Sequence, residues 1–268
     1  MDTLKVAAIQ MTSTTKWQQN LDTAISLIQK ATQAGAKLIV LPEFFIRVGE
    51  SRDKDFLDII EEIGIGKTQS KLKAVAKEYQ IYLVAGTIPI KTKGNNKCYN
   101  TTIVYDPQGE MMCYYHKIHL FRFDGLEQKI DESDLFLSGE DIVTFNIDNF
   151  SFGLSICYDL RFPELFREMS GVDAIIIPAA FLKKTGEAHW EILLRARAIE
   201  NQCYVIASAQ TGLHENKRQT FGHSMIIDPW GIIKTTLKYG EGFIIHEMNK
   251  TTINKVRADL PALQHRKL

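Results

Sequence analysis

The chain has 268 residues, enough for one large α/β domain or two small ones, and core volume is not limiting at that size. Lysine plus arginine equals aspartate plus glutamate at 32 each, which gives no reason to expect nucleic acid or an anionic membrane surface as a partner. No stretch approaches the roughly 20 apolar residues that span a bilayer. The opening Met1-Asp-Thr-Leu-Lys-Val6 does not read as a secretory signal, and the four cysteines are scattered with no Cys-x-x-Cys pair. Reduced thiols in a cytoplasmic protein are expected.

Short apolar runs, β-branched in part, predict strands at residues 6–11, 37–41 and 81–85. Between them Leu21, Ala24, Ile25, Ile28 and Ala31 recur at helical spacing, as do Leu72, Val75, Ala76 and Tyr79. Residues 56–63 read as helical and 114–121 as an aromatic strand. Residues 152–156 and 174–177 predict strands, Trp190, Leu193, Leu194 and Arg197 mark a helix, and 204–207 a further strand.

The second half repeats the first. The segment Gly35 to Phe45 aligns with Gly171 to Phe181 at an offset of 136, and Glu78 to Ala85 with Glu200 to Ala207 at an offset of 122. Asp106-Pro-Gln-Gly109 aligns with Asp228-Pro-Trp-Gly231, again at 122. The offsets differ by fourteen, so the first half carries about that many extra residues between Phe45 and Glu78, expected to decorate the surface. Asp-Pro-x-Gly between apolar runs is a turn signal, so each half should end in a hairpin. Two α/β halves related by a pseudo-two-fold axis can pack sheet on sheet as four layers, helix–sheet–sheet–helix. Glu43 breaks the repeat, because its counterpart is Ala179.

Three residues draw attention on chemical grounds. Cys157 follows the run 152–156 and precedes a helix start with Pro163 in its first turn. A thiol on a strand-to-helix turn is exposed at a sheet end, and nearby N–H groups and the helix dipole would favour its thiolate. The competing reading is a buried core thiol, the one preferred for Cys98, Cys113 and Cys203. Glu43 ends the strand 38–41 among apolar residues, where desolvation would suit a general base, with a capping or ion-paired acid as the alternative. Lys117 lies in the aromatic segment, either snorkelling or aimed at a charged site.

Taken together, Leu41-Pro-Glu43-Phe-Phe45, His116-Lys117-Ile-His-Leu-Phe121 and Cys157-Tyr-Asp-Leu-Arg-Phe-Pro-Glu164 resemble the nitrilase superfamily of carbon–nitrogen hydrolases. The segments His189 to Tyr204 and Gly222 to Gly231, with the tail Leu260 to Arg266, are similar to the branch of deaminated glutathione amidases. The resemblance implies an α/β fold, the four-layer α-β-β-α sandwich, as a single domain over 1–268. It implies a linear amidase that needs no cofactor or metal and forms a homodimer or higher homo-oligomer. It also implies roles. Glu43 accepts the Cys157 proton, the thiolate attacks the amide carbonyl, and Lys117 with the Tyr158 backbone N–H holds the oxyanion. Glu43 then protonates departing ammonia and activates water against the thioester. Glu132, in Asp131-Glu-Ser133, matches the family's second glutamate and would hold the others in place. Arg161, Phe181 and Thr185 would bind a small anionic amide, most directly deaminated glutathione, with Arg161 pairing a carboxylate. Relatives often carry an Asp and a Pro-Gly after Lys-x-His-Leu-Phe, whereas the run Phe121 to Ile130 has no proline. That departure bears on the exact substrate.

An ω-amidase acting on 2-oxoglutaramate or 2-oxosuccinamate would use the same residues, and a catalytically silent binding module would not need all three reactive groups. Gly66-Lys67-Thr68 looks like part of a phosphate-binding loop, but that motif needs a glycine where Glu61 stands. His116 and His119 have no further ligand at metal-binding spacing. Gly153-Leu-Ser-Ile-Cys157 is not a serine-hydrolase elbow, and no cysteine-protease signature is present.

Overall fold

In the computed structural model the strand Thr3–Gln10 alternates its side chains between two apolar environments. Leu4, Val6 and Ala8 join a core shared with Phe152, Leu154 and Ile206, whereas Ala7 and Ile9 join one containing Leu21, Ala24 and Ile28. A strand buried on both faces must be apolar at every position, which is why its sequence reads as a continuous run. The structure describes residues 2–49, 53–125 and 129–267.

Two sheets result. The first runs in the order Gly242–Asn249, Thr3–Gln10, Leu38–Val40, Tyr82–Val84, Cys98–Tyr105 and Ile88–Lys91, with Met111–His116 and Phe136–Leu137 also paired to Cys98–Tyr105. The second runs Thr144–Ile147, Phe150–Leu154, Ala174–Ala179, Tyr204–Ala209, Ser224–Ile227 and Ile233–Leu237. Their inner faces pack on each other. The helices Trp17–Gln33 and Lys67–Tyr79 cover the first sheet through Leu21, Ile28, Leu72 and Ala76. Pro163–Glu168 and Lys183–Asn201 cover the second through Phe166, Trp190, Leu194 and Ala198. This is the expected α-β-β-α sandwich.

The repeat extends to backbone detail. In each sheet the three central strands are parallel and the fourth is antiparallel. Gln80 and Gln202, 122 apart, both end their helices in the left-handed region, at φ 52° and 48°. The two Asp-Pro-x-Gly turns are superimposable in their bonding. Asp106 Oδ1 accepts from the N–H groups of Gln108 and Glu110, and Asp228 Oδ1 from those of Trp230 and Ile232. Gly109 and Gly231 sit at φ 78° and 83°, where a side chain would be strained. One feature was not legible: the strands closing the two halves are exchanged. Thr144–Ile147, at the end of the first half, pairs with Phe150–Leu154 of the second sheet. Gly242–Asn249, at the end of the second, pairs with Thr3–Gln10 of the first.

The extra first-half residues do more than decorate the surface. The helical reading of residues 56–63 holds only for the short helix Lys54–Leu57, and beyond it Glu61 bridges to Ile90. Phe56 and Ile59 are buried in the first core. Glu61 turns its carboxylate onto the start of Lys67–Tyr79, accepting from the Thr68 N–H at 2.6 Å and the Gln69 N–H at 3.2 Å. A Cβ on Gly66 would lie 2.1 Å from that carboxylate, so glycine is required by the close approach. The helix N-terminus in the apparent phosphate loop is thus already satisfied by the acid that interrupts the motif.

His214 is the most enclosed of the three histidines whose pKa is depressed. Its Nδ1 donates to the Ser13 carbonyl at 2.8 Å and its Nε2 accepts from the Thr220 hydroxyl at 2.7 Å, which fixes the neutral tautomer. Burial holds its pKa below 6.5; the Ser13 bond opposes this and the Arg218 charge adds to it. Burial lowers His116 and His246 in the same direction. The unfolded chain therefore takes up protons first as the pH falls, so this contribution is present above about 6.5 and is lost as the pH drops through the folded values. The urea midpoint should be flat above about pH 7 and decline below about 6.5, with His214→Gln reducing the slope. An unchanged slope in that variant would remove His214 from the account.

Candidate active site

The loops that follow the strands bring one cluster of groups to the junction of the two sheets. Glu43 lies just past Leu38–Val40 of the first sheet, and Lys117 directly after Met111–His116. From the second sheet, Cys157 opens a 3-10 helix after Phe150–Leu154, and Ala180 and Phe181 follow Ala174–Ala179. Ligand sites in α/β proteins lie at such carboxyl ends of parallel strands.

Lys117 is fully buried, and its Nζ lies 2.8 Å from Glu43 Oε1 and 2.8 Å from Glu132 Oε2. Burial alone would push its pKa down, but Glu132, Glu43 and Cys157 outweigh it and the net direction is up, so the ammonium stays charged. Burial raises the Glu132 pKa, with Lys117 pulling it back and Glu43 pushing it further up. Glu132 Oε2 also accepts from the Phe121 N–H at 2.8 Å. Glu43 is 1% exposed. Its Oε1 accepts from Asn100 Nδ2 at 3.0 Å as well as from Lys117, and its Oε2 accepts from the Ala180 N–H at 2.9 Å. Ala180 is the residue next to Ala179, the repeat counterpart of Glu43, so the broken symmetry puts an acid in one half against a backbone donor in the other.

Cys157 is 6% exposed and lines the same pocket as Glu43. Its φ of 49° is in the left-handed region, a strain that nucleophile-bearing turns accept. The expectation that helix and N–H groups favour the thiolate is corrected. Burial, then the Glu43 charge, pushes the thiol pKa well up against the opposing pull of Lys117. The resting group is therefore a neutral thiol beside the Glu43 carboxylate. Tyr158 is in the first turn of the 3-10 helix Cys157–Arg161, where backbone N–H groups lack acceptors within the helix. Asp159, fully buried, fixes that turn to the lysine segment, accepting from the Ile156 N–H, the Tyr115 hydroxyl, the His119 N–H and His119 Nδ1, all within 2.9 Å. His119 is thus committed to Asp159 and stacked on Phe162, and His116 to the Thr101 hydroxyl and the Tyr99 ring.

Above the cluster is a narrow pocket whose lining includes Glu43, Glu132, Cys157 and Tyr158. Arg161, Phe181 and Thr185 all reach it, with Phe44, Phe121, Ile130 and Leu182. The Arg161 guanidinium lies 5.3 Å from the centre of the Phe181 ring and 5.7 Å from that of Tyr158, with His189 Nδ1 3.3 Å from its Nη1. The run lacking proline borders the pocket through Phe121 and Ile130, while its residues 126–128 lie outside the described residues. Sequence reading missed Asn100, Asp159 and Arg218. A buried asparagine inside the apolar strand Cys98–Tyr105 was the signal available for the first. Arg218 lines the pocket from the turn between Thr211–Leu213 and Gln219–Phe221, which pattern alone does not place.

A four-layer sandwich with a buried Glu–Lys–Glu–Cys cluster at the meeting of its sheets defines a thiol-containing hydrolase site. The chain belongs to the carbon–nitrogen hydrolase family, whose model matches residues 5–258. A deaminated glutathione amidase of Synechocystis sp. is 42% identical over 266 residues, covering 97% of each chain. A deaminated glutathione amidase of Homo sapiens is 36% identical, covering 98% of this chain and 82% of that one. The crystal structure of Saccharomyces cerevisiae Nit3, a member of branch 10 of the nitrilase superfamily, has a TM-score of 0.89 at 32% identity, covering 100% of this chain and 97% of that one.

Proposed function

We propose that the protein is a cysteine-dependent amidase whose substrate is deaminated glutathione. The observation that carries this is the Lys117 ammonium held 2.8 Å from both Glu43 and Glu132, with the Cys157 thiol and Glu43 lining one pocket that also bears Arg161. Glu43 takes the thiol proton as sulfur attacks the amide carbon. The carbonyl oxygen, becoming negative, is held by Lys117 Nζ and the Tyr158 N–H. Protonated Glu43 gives its proton to the leaving nitrogen, the C–N bond breaks and a thioester remains. Water, deprotonated by Glu43, attacks the thioester and restores the thiol. Glu132 anchors Lys117 and is not consumed. Arg161 pairs the carboxylate of the acyl part, with Phe181 and Thr185 flanking it.

The leaving group differs from the ammonia implied by a primary amide. In deaminated glutathione the scissile amide nitrogen belongs to cysteinylglycine, so hydrolysis yields 2-oxoglutarate and cysteinylglycine. Similarity to amidases of that name supports this substrate. Purified protein offered deaminated glutathione, 2-oxoglutaramate, a simple nitrile and an N-carbamoyl amine should release cysteinylglycine from the first with the highest kcat/KM. Preference for 2-oxoglutaramate would keep the chemistry and reject the substrate, and no turnover of any would favour a binding role.

Two further readings accompany this. A single domain over 1–268 is supported by the pairing of Gly242–Asn249 with Thr3–Gln10, and a reducing, cytoplasmic setting by four cysteines that form no disulfide with one another. Exposed Ile199, Trp230, Ile232 and Leu260 support a homodimer or higher homo-oligomer, and a monomer mass by light scattering would reject it.

A further inference from the structure

The pocket holds a second guanidinium. Arg218 lines it together with Cys157, yet its Nε is buried with no hydrogen-bond partner, and the guanidinium makes no hydrogen bond or ion pair among the described residues. A buried guanidinium donor without an acceptor is costly unless something supplies one. Arg161, by contrast, is engaged with the Phe181 and Tyr158 rings and His189. Arg218 also lines an adjoining groove, which shares Phe44, Ile130 and Glu132 with the catalytic pocket and continues past Lys129 and Asn216. Of the three acids lining that groove, Glu132 holds Lys117, Asp131 Oδ1 accepts from the Ser133 N–H and hydroxyl while its Oδ2 faces Arg122 at 3.8 Å, and Asp134 is exposed to solvent and makes no ion pair with Arg218. His214 bonds the Thr220 hydroxyl through Nε2 and the Ser13 carbonyl through Nδ1, fixing the hairpin that carries Arg218.

We propose that Arg218 is a specificity-determining residue of a leaving-group subsite, binding a carboxylate on the amine side of the scissile amide. The site then takes secondary amides anionic at both ends, Arg161 meeting the acyl carboxylate and Arg218 the amine carboxylate. A primary amide leaves the Arg218 subsite empty. This rests on the amidase reading and deepens it, because it separates a substrate with a peptide-like leaving group from one that releases ammonia. The pairing is charge-assisted and bidentate in capability, the geometry at which arginine and carboxylate bind best.

The test compares wild type with Arg218→Gln and Arg218→Lys on three substrates: deaminated glutathione, its glycine-carboxamide analogue, and 2-oxoglutaramate. The expected result is a loss of about 10- to 100-fold in kcat/KM for Arg218→Gln on deaminated glutathione, carried by KM, with partial recovery in Arg218→Lys. The carboxamide analogue and 2-oxoglutaramate should change little. Equal losses on all three would overturn the assignment. A second readout does not depend on turnover: alkylation of Cys157 by chloroacetylglycine against chloroacetylglycinamide, read by peptide mapping. Wild type should prefer the acid, and Arg218→Gln should lose that preference while Arg161→Gln keeps it. The same rate with both reagents in wild type, or no reaction with either, would overturn the subsite. A preserved acid preference without hydrolysis of deaminated glutathione would instead sink the substrate reading and leave the subsite standing.

Discussion

Replacing Cys157 by alanine will abolish amide hydrolysis, with kcat falling on the order of 10⁵-fold, while the folded state persists. The magnitude follows from removal of a covalent nucleophile whose partners act as a unit, where single losses approach the loss of the whole set. The remaining Lys117 and Tyr158 N–H can still polarise a carbonyl, so a small residual rate over water is expected. The fold should tolerate the change because the thiol lies at the foot of an open pocket and contributes one small group to the core. The comparison is kcat on deaminated glutathione with the thermal midpoint measured in parallel. A variant that retains a tenth of the activity would remove the thiol from the mechanism, and one that fails to fold would make Cys157 a packing residue first.

The second large effect is on stability. Lys117→Met removes the one cation that lies between the Glu43 and Glu132 carboxylates among the described residues. Methionine matches the stem of lysine, so packing changes little, but two buried carboxylates then face each other without a counter-charge. Breaking a buried pair in this way costs about 3–5 kcal/mol, and here both acids lose their partner. Adding Glu132→Gln should recover part of that loss, because one uncompensated charge is removed with its lysine. Activity will not return in the double variant, since Lys117, the proposed oxyanion donor, is still absent. Urea denaturation of the two single variants and the double reads the coupling. Strict additivity of the two stability losses would mean that Lys117 and Glu132 do not interact in the way their 2.8 Å contact implies.

Much of this was legible in the sequence, and the exceptions share a physical cause. Local pattern was sufficient for Leu38–Val40, Tyr82–Val84 and Ala174–Ala179, because strands buried on both faces must be apolar throughout. It was sufficient for the repeat, because the Asp-Pro-x-Gly turns and left-handed helix ends depend on backbone geometry that few residues provide. Glu43, Lys117 and Cys157 stood out as charged or reactive groups in apolar surroundings. Three things depended on contacts distant in sequence. One side of the strand exchange pairs Thr3 with Asn249, across more than two hundred residues, and no local signal encodes it. The protonation of Cys157 is set by burial and by Glu43, so a helix start gave the wrong sign. Arg218 reaches the pocket only because a hairpin folds over it, held through His214 to Ser13. The extra first-half residues were located by the two offsets, but residues 56–63 read as a helix in a surface decoration, so the core role of Phe56 and Ile59 did not show.

The central claim is that Cys157 forms the bond to the acyl group. Acid-quenched protein taken during turnover of deaminated glutathione, then digested and mapped by mass spectrometry, tests it most directly. A 2-oxoglutaryl thioester is expected on the peptide containing Cys157, gone in Cys157→Ala and depleted as substrate is exhausted. Steady turnover with no acyl group on Cys157, or with the acyl group on Cys98, Cys113 or Cys203, would contradict it.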